Sequence, residues 1–379
     1  MRLLMVSGDR QVTIGERGPF HSMQEVFSTF FERIDVLCPR PPRAPSVSTI
    51  HGNVHFHPAS CGRAGMVGYI ARRGRELVDE HGHSLIVSHD YGWFYNGLGS
   101  ARVSASTGVP YLSELHHVPG HPVPADLRER LDKLVARIYV AWARALTPAF
   151  RVVNSTEMPE LLRSWGVPEE QILVLPSLYI DLETFRPPPE PLEPETDVLY
   201  VGRLVNNKGL ERIVEALCLL RERGAPHRAR FIGKGPMRDD LHARVRRAGL
   251  EATTSFIEWV DTPADLADHY RRARVAVCAS TCEGGPRVTV EAMACGTPVV
   301  STPVGVMTEL LRSGEAGRLV DFTAGGLADG LEPLLRDEEL AARLGARAAA
   351  DTQRFERARA LEVYARGLIE LAERVGRRQ

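Results

Sequence analysis

The chain has 379 residues, of which 44% are hydrophobic and 25% are charged, and its formal net charge is −1. This length exceeds what one hydrophobic core usually serves, so two globular domains are expected. The balanced charge gives no support for nucleic-acid binding. No apolar run approaches the length of a membrane helix, and the N-terminus does not resemble a signal peptide. Six cysteines without a CxxC pair are typical of reduced thiols, so a cytoplasmic protein is expected.

Short apolar runs alternate with helical patterns from the N-terminus onward. The predicted strands of the first half include Leu3–Ser7, Leu85–Ser88 and Val152–Asn154. Strands that are apolar throughout are typical of parallel sheets covered on both faces, and their alternation with helices indicates βαβ units. Between them, Val12–Gly18 and Pro41–Pro58 are predicted to be surface loops.

The chain changes character at residues 186–196, RPPPEPLEPET, where five prolines and three glutamates cannot form a core element. A new strand, turn and helix pattern follows. Further predicted strands are Asp197–Val201, Arg230–Ile232, Val275–Ala279 and Pro298–Ser301. The sequence therefore predicts an α/β protein with one domain over residues 1–185, a second over 186–355, and a final helix in 356–379.

Two glycine-containing turns follow the first strands of the second domain. In a doubly wound sheet, ligands bind outside the carboxyl ends of the strands, so these turns are expected to meet at one cleft. Arg203 and Lys208 flank the first turn, and both cations can reach a diphosphate; two solvated surface cations are the alternative. The second turn, Gly233-Lys234-Gly235-Pro236, permits close approach of a ligand, although a plain turn fits it equally well.

A third turn carries two carboxylates, Glu283 and Glu291, on either side of a Gly-Gly-Pro segment. A helix is predicted to begin near Arg287 or Val288, and Pro286 suits its first turn. The N-terminus of such a helix offers free N–H groups and a positive dipole to an anion. Glu283 could instead cap the helix. Glu291 lies in an otherwise apolar segment, where an unpaired carboxylate would be costly, and this favours a binding role.

Four stretches of the second half resemble the retaining glycosyltransferases of the GT-B fold, family four, which carry a Glu-x7-Glu motif. They are YVGRLVNNKGL, FIGKGP, ASTCEGGPRVTVEAMACGTPVVSTPVG and TELLRSGEAGRLV. MRLLMVSGD, VSHD and VPYLSELHH in the first half are similar to family strands, and Gly18 precedes the matching helix. The segment from Ser177 lacks the usual Asn-Gly, and Gly285 replaces a larger residue.

The resemblance implies two Rossmann-like β/α/β domains that face a deep cleft. The C-terminal domain would bind a nucleoside diphosphate sugar, and the N-terminal domain would bind the acceptor. The final helix would cross back onto the first domain. Glu283 would orient the sugar, and His116 would face it from the other domain. The donor-binding residues implied are Arg203, Lys208, Glu291, Gly18, Gly233, Gly285, Pro286, Arg287, Val288, Thr289 and Val260.

On the acceptor side, His89 and Asp90 are candidate contacts. Asp90 could act as a base toward the acceptor hydroxyl, or it could be an ordinary loop residue. No Asp-x-Asp pair lies in a suitable loop, so neither a metal nor another cofactor is expected. His51, His55 and His57 form a small cluster, but they alternate with apolar residues as in an exposed strand, and a metal site there is not favoured.

The implied activity is transfer of a sugar, with retention, from a UDP-sugar or GDP-mannose to a hydroxyl acceptor. A glycan, a lipid-linked sugar or a small molecule would qualify. Two alternatives stay open: a catalytically inactive nucleotide-sugar-binding protein, and a GT-B enzyme of other chemistry, such as an epimerase or phosphorylase. A dinucleotide-dependent dehydrogenase is disfavoured, because no GxGxxG follows the first strand.

A predicted helix over Leu127–Leu146 is rich in basic residues. They are Arg128, Arg130, Lys133, Arg137 and Arg144. We favour a packed helix with a solvated basic face. The alternative is a weak peripheral contact with anionic lipid at the inner face of the membrane.

Overall fold

The computed structural model describes residues 1–176, 178–190 and 192–377. Ser177 of the predicted hinge segment, Pro191 of the predicted linker and residues 378–379 of the predicted final helix lie outside the described residues. The described chain folds into two α/β domains, each built on one mainly parallel sheet. The two sheets lie on either side of the proline-rich segment, and the exact domain bounds stay a prediction.

The first sheet has the strand order β3-β4-β2-β1-β5-β6-β7-β8. In chain order, β1 to β8 are Arg2–Val6, Arg33–Cys38, Thr49–Ile50, Val54–Pro58, Leu85–His89, Tyr111–Leu115, Phe150–Val152 and Ile172–Val174. Only β3 pairs antiparallel among these described strands. The helices α1 to α5 are Pro19–Phe27, Met66–His81, Tyr95–Thr107, Leu127–Ala143 and Glu157–Ser164.

The second sheet has the order β11-β10-β9-β12-β13-β14, and its described strands pair in parallel. β9 to β14 are Thr196–Val201, Ala229–Ile232, Thr254–Ile257, Ala273–Cys278, Val299–Ser301 and Gly317–Leu319. α6 to α12 are Leu210–Glu222, Arg238–Arg247, Pro263–Arg271, Arg287–Ala294, Met307–Leu310, Ala324–Arg336 and Glu338–Asp351. In each sheet the order of strand addition reverses next to the first strand of the domain, between β1 and β5 in the first sheet and between β9 and β12 in the second. A doubly wound sheet opens a ligand crevice at such a point.

The two loop predictions of the first half hold only in part. The segment Pro41–Pro58 contains β3 and β4, and β4 pairs with β2 inside the sheet. Val54 and Phe56 point into the core at 0% and 4% exposure, so β4 is not an exposed strand either. The prolines at both ends of the segment favoured a loop, so the sequence pattern did not reveal β4. In the segment from Val12, residues 12–14 form a buried single turn rather than a surface loop.

The final helix, α13 (Arg357–Gly376), returns to the first domain. It is preceded by a bridge between Ile180 and Glu356. Leu361, Tyr364 and Leu368 join the apolar core of the first domain beside α1. Residues from the end of the described chain therefore complete a core that β1 begins.

The two domains also touch at the turn that carries Glu283. The thiol of Cys282 lies 3.2 Å from the carbonyl oxygen of Val118, and the amide of Val123 donates to Thr281 over 3.3 Å. Contact across the cleft therefore involves the backbone on both sides. Among the helices that the structure describes, none has the length and apolar character required to cross a bilayer.

Candidate active site

Glu283 lies in the turn between β12 and α9, at the carboxyl edge of the second sheet. Lys208, from the turn after β9, forms an ion pair with its Oε1 atom, and the Ser280 hydroxyl donates to the same oxygen over 3.0 Å. Both charged side chains are mostly enclosed, with exposed fractions of 17% for Glu283 and 13% for Lys208. The structure thus brings together two residues that the sequence separates by 75 positions.

Glu291 lies on the first turns of α9 and is 5% exposed. Arg287, four residues earlier, donates to its Oε1 over 2.8 Å, and the Tyr270 hydroxyl donates to its Oε2 over 3.3 Å. Burial raises the pKa of Glu291, while Arg287 and Tyr270 lower it. The predicted cost of an unpaired carboxylate in this apolar segment is thus avoided by a neighbouring cation.

The first two glycine turns of the second domain pack directly on each other. Gly233 has a φ of +145°, and a β-carbon placed on it would lie 1.9 Å from the carbonyl oxygen of Gly202. Any side chain at Gly233 would therefore push the two turns apart. This packing explains why residue 233 is a glycine even without a bound ligand. Arg203, beside Gly202, is exposed.

Four of the predicted donor-side residues line one cavity of about 460 Å³ between the domains. They are Gly18, Val260, Arg287 and Glu291. Gly18 immediately precedes α1 in the first domain, its backbone is extended, and a β-carbon there would meet nothing within 4 Å. The cavity also has walls that sequence reasoning missed, because they come from α1, α13 and loops without a motif. These residues are Ser22, Tyr179, Asp181, Asp261, Thr262 and Arg357.

The start of α9 differs in one respect from the prediction. Pro286 is the residue before the helix, and its carbonyl accepts from the Thr289 amide over 3.1 Å and the Thr289 hydroxyl over 2.6 Å. Thr289 thus stabilises the start of the helix. The amides of Arg287 and Val288 come too early in the helix to find an acceptor within it, so they are the ones suited to bind an anion. Gly285 has room around it, since a β-carbon there would meet nothing closer than 3.9 Å.

His116 follows β6 in the first domain, and 45% of its side chain is accessible in the cleft. Its Nε2 lies 3.3 Å from Nη1 of Arg151. Arginine can only donate, so Nε2 accepts and the proton of the neutral ring is on Nδ1. Partial burial lowers the pKa of His116 to about 4, because Glu114, which favours the protonated ring, compensates only in part. His116 is therefore a neutral imidazole at physiological pH.

A buried ionic network contacts His116 on the side of Arg151 and Glu114. Glu114 is fully buried and contacts Nη1 of Arg151 at 3.2 Å, Nε2 of His89 at 3.0 Å and the hydroxyl of Tyr364 on α13. Burial alone would raise the pKa of Glu114, but Arg151 and His89 hold it well below its usual range. The guanidinium of Arg151 also stacks 3.7 Å from the Tyr364 ring centre. His89, a predicted acceptor contact, is thus also part of this support.

Asp90, the other predicted acceptor contact, is 3% exposed. Its carboxyl group accepts hydrogen bonds from Ser88 at 2.6 Å, Ser113 at 2.5 Å and Tyr139 of α4 at 2.6 Å. Burial raises the pKa of Asp90 to about 7 against these three donors. This geometry favours a structural role, and the predicted role as an acceptor base has no support from it.

Two further titratable groups lie near the site: His117, which ends the VPYLSELHH stretch, and Glu157, which no motif revealed. The backbone oxygen of His116 lies 2.3 Å from where a β-carbon of Gly284 would stand, and His117 follows beside this contact. Burial and the nearby Lys208 and Arg203 lower the pKa of His117, while Glu283 raises it. Glu157 accepts the amide of Gly305, and burial raises its pKa to about 8.

The histidine cluster of the first domain has other partners. His57 Nε2 lies 2.8 Å from the buried carboxylate of Asp35, and His55 Nδ1 lies 3.1 Å from the Thr49 hydroxyl. Over the part of the chain that the structure describes, no group of three or more His, Cys, Asp or Glu side chains is arranged to hold a metal ion.

Known proteins resemble this chain over nearly its whole length. A family model described as "Glycosyl transferases group 1" matches residues 154–351, and one described as "Glycosyl transferase 4-like domain" matches residues 30–177. A D-inositol 3-phosphate glycosyltransferase of Arthrobacter sp. (strain FB24) is 30% identical over 292 residues, which are 73% of this chain and 68% of that protein.

Solved structures share the two-domain architecture. Sucrose-phosphate synthase from Thermosynechococcus elongatus has a TM-score of 0.79 at 20% identity and covers 100% of both chains. HepE of Anabaena, in complex with UDP and glucose, has a TM-score of 0.69 at 20% identity, with 100% of this chain and 98% of that chain covered. The predicted fold is confirmed, and the chain belongs to the group 1 glycosyltransferases, with the GT-B fold of family four.

Proposed function

We propose that this glycosyltransferase moves a sugar from a nucleoside diphosphate sugar, a UDP-sugar or GDP-mannose, to a hydroxyl acceptor with retention of anomeric configuration and without a metal. The observation that carries the proposal is the cavity between the domains. Gly18 from one side and Val260, Arg287 and Glu291 from the other line it together. The UDP bound in Anabaena HepE supports the choice of donor class.

The nucleoside would occupy this cavity, with its ribose hydroxyls donating to Glu291. The diphosphate would lie between Arg203, Lys208 and the first amides of α9. Fixed positive groups around a leaving group stabilise the charge that develops as the glycosidic bond breaks, and they can do so without a metal. Lys208 is paired with Glu283; an arriving phosphate would draw the ammonium toward itself and free the carboxylate for sugar hydroxyls.

The neutral His116 ring would donate its Nδ1 proton to a hydroxyl of the transferred sugar, while Glu283 orients the ring. Retention follows if the acceptor attacks on the face from which the diphosphate departs. The acceptor oxygen then bonds to the anomeric carbon as the bond from that carbon to the diphosphate oxygen breaks, and the acceptor proton passes to the departing phosphate. No carboxylate nucleophile is required.

The acceptor is assigned only as a hydroxyl compound: a glycan, a lipid-linked sugar or a small molecule. The proposed location is the cytoplasm, with peripheral contact to the inner membrane face. We base this location on the use of a nucleotide sugar as the donor and on the six unpaired cysteine thiols.

A thermal-shift panel of UDP-, GDP-, TDP- and ADP-sugars tests the donor. We expect one nucleotide series to raise Tm, with the increase growing with ligand concentration by mass action. Release of sugar from that donor, with and without EDTA, tests turnover and metal independence, and NMR of the anomeric proton of the product tests retention. A Tm that none of the donors changes would overturn the proposal.

The orienting role of Glu283 has its own test. Glu283→Gln should lower turnover about 10²-fold while donor Kd changes little, because the carboxylate acts on sugar geometry. Unchanged turnover with weaker donor binding would contradict that role. Donor binding without any turnover in the wild type would instead favour the inactive binding protein, and reversible change of the donor sugar without transfer would favour an epimerase.

A further inference from the structure

Helix α4 carries large apolar side chains on the face that it turns to solvent. Their exposed fractions range from 41% to 74%, and they are Leu127, Leu131, Leu134, Ile138 and Trp142. Steps of three and four residues place them on one stripe along the helix. A separate face of α4, which includes Ala136, Tyr139 and Val140, packs on the domain core. Helix α4 is therefore packed and carries exposed arginines, as predicted, but its outer face is apolar as well as basic.

Exposed apolar surface is concentrated at this place in the fold. Of twelve exposed large hydrophobic residues among those described, nine belong to α4, to Leu146 just after it, or to the neighbouring Tyr91, Trp93 and Leu98. Trp93 is 75% exposed. Scattered apolar side chains are normal on a protein surface, but a concentration of this kind marks an interaction surface.

Arginines border the stripe on both sides. Arg130, Arg137 and Arg144 recur every seven residues along one flank, and Arg128, 89% exposed, lies on the other. The carboxylates of the same helix are engaged: Glu129 accepts the amide of Ala125 over 2.7 Å, and Asp132 lies 3.9 Å from Arg128. Asp132 thus partners Arg128, and the net positive charge of this surface comes from the row Arg130, Arg137 and Arg144, although the chain as a whole is nearly neutral.

A cavity of about 1010 Å³ opens beside the first turns of α4, at the carboxyl edge of the first sheet. Arg128 and Asp132 of α4 and the exposed Trp93 belong to its wall, so the cavity adjoins the apolar stripe. Its four arginines are Arg10, Arg40, Arg63 and Arg128. Several guanidinium groups around one space suit a phosphate or phosphodiester, which each can bind through two hydrogen bonds. This cavity is separate from the one that Glu291 lines.

We propose that the α4 stripe and Trp93 dock the protein on a bilayer that contains anionic lipid, and that the arginine-lined cavity receives the phosphate-bearing headgroup of a lipid acceptor in that bilayer. The acceptor part rests on the proposed glycosyltransfer. A second copy of the chain is the other conceivable occupant of the stripe. Two such surfaces face to face would bring arginine rows together, whereas anionic headgroups neutralise them.

Vesicle co-flotation tests the docking surface. We expect binding to vesicles of phosphatidylcholine with 30% phosphatidylglycerol, weak binding to phosphatidylcholine alone, and loss of binding at high salt. Arg130→Glu with Arg137→Glu should weaken binding to the anionic vesicles about five-fold or more for each charge. Leu131→Asp with Ile138→Asp should weaken it more than about ten-fold. Val363→Asp, at a 45% exposed position on α13, is the matched control and should bind as the wild type does.

Equal binding by the stripe variants and the wild type would overturn the docking surface. A wild-type dimer in sedimentation equilibrium that Leu131→Asp with Ile138→Asp converts to monomer would overturn the lipid assignment in favour of a second copy. Donor-induced Tm shifts, measured without vesicles, keep the two proposals apart. If no donor shifts Tm, the proposed function is overturned. The flotation result still decides whether the α4 stripe docks on a bilayer.

The cavity has a test that separates a lipid headgroup from free phosphate. Short-chain dihexanoyl phosphatidic acid should raise Tm at much lower concentration than inorganic phosphate, and Arg40→Ala with Arg63→Ala should abolish the difference. Equal responses of the wild type to both compounds would overturn the lipid headgroup as the ligand. An unchanged response of the double variant would overturn the cavity as the site.

Discussion

The two domains hold the carboxylates near the cleft in opposite ways. On the second domain, Glu283 and Glu291 each pair with one cation, and Glu291 lines the cleft cavity. On the first domain, Asp90 and Glu114 are enclosed by internal partners and are 3% and 0% exposed. A carboxylate with one partner at a cavity can exchange it for a ligand. A fully enclosed one instead fixes its neighbours, here His116.

The largest effect should come from opening the enclosed network of the first domain. Arg151→Met would leave Glu114 buried without its cation, and we expect the free energy of unfolding to fall by about 3–5 kcal/mol. Urea unfolding at pH 7 measures it. Arg151→Met with Glu114→Gln should recover much of the loss, because no buried charge remains. A single variant as stable as the wild type would show that the pair does not support the fold.

The second effect concerns Asp90 and pH. Its folded-state pKa of about 7 exceeds the ordinary value near 4, so the native state binds the proton more tightly. The stability gained from that proton is present at low pH and is lost as pH rises through about 7. Asp90→Asn, a neutral isostere, should therefore match the wild type near pH 4 and exceed its unfolding free energy by about 2–4 kcal/mol at pH 8.

Thermal unfolding between pH 4 and pH 8 measures this difference. Asp79→Asn on the surface is the control, since that side chain is 63% exposed, and it should leave the pH profile unchanged. Parallel profiles for Asp90→Asn and the wild type would mean that folding does not raise the pKa of Asp90.

A third change tests the carboxylate of the second domain that lines the cleft cavity. Glu291→Gln keeps the shape but removes the charge that Arg287 faces and that ribose hydroxyls would contact. We expect donor Kd to rise about 10- to 100-fold, the value of a charged hydrogen bond, with little change in Tm. Calorimetric titration measures it. Glu362→Gln, which breaks an equivalent pair with Arg366 four residues away on the outer surface of α13, should leave Kd unchanged.

The smallest effect should be at Gly285, which borders open space in the cleft. Gly285→Ala should change the unfolding free energy by no more than about 0.5 kcal/mol. Gly284→Ala, one residue away, should cost about 1–3 kcal/mol because its new methyl group would meet the His116 backbone. Chemical denaturation of both variants compares them. Equal costs would mean that the domains do not meet closely at this turn in solution.

The donor side could be predicted because its signals are local. Glu283, Pro286 and Glu291 lie within one strand, turn and helix, where position along the sheet edge follows from topology. The fold likewise followed from apolar runs alternating with helical patterns. The roles assigned to these side chains stay predictions, since geometry alone does not measure them.

The acceptor side could not be predicted in the same way. The network behind His116 joins Glu114 to Tyr364, 250 residues later, and no spacing rule connects such positions. Asp90 looks like a loop residue by sequence, and its enclosure depends on Tyr139 from a helix 49 residues away. The stripe on α4 was concealed because outward and inward apolar residues are alike in composition.

The helix α13 has a consequence for how the chain folds during synthesis. Leu361, Tyr364 and Leu368 fill part of the core that Leu3 and Phe27 begin. The first domain emerges first from the ribosome, yet its core stays incomplete until the second domain and α13 have also been made. The half of the protein that is translated earliest is thus among the last to reach its final packing.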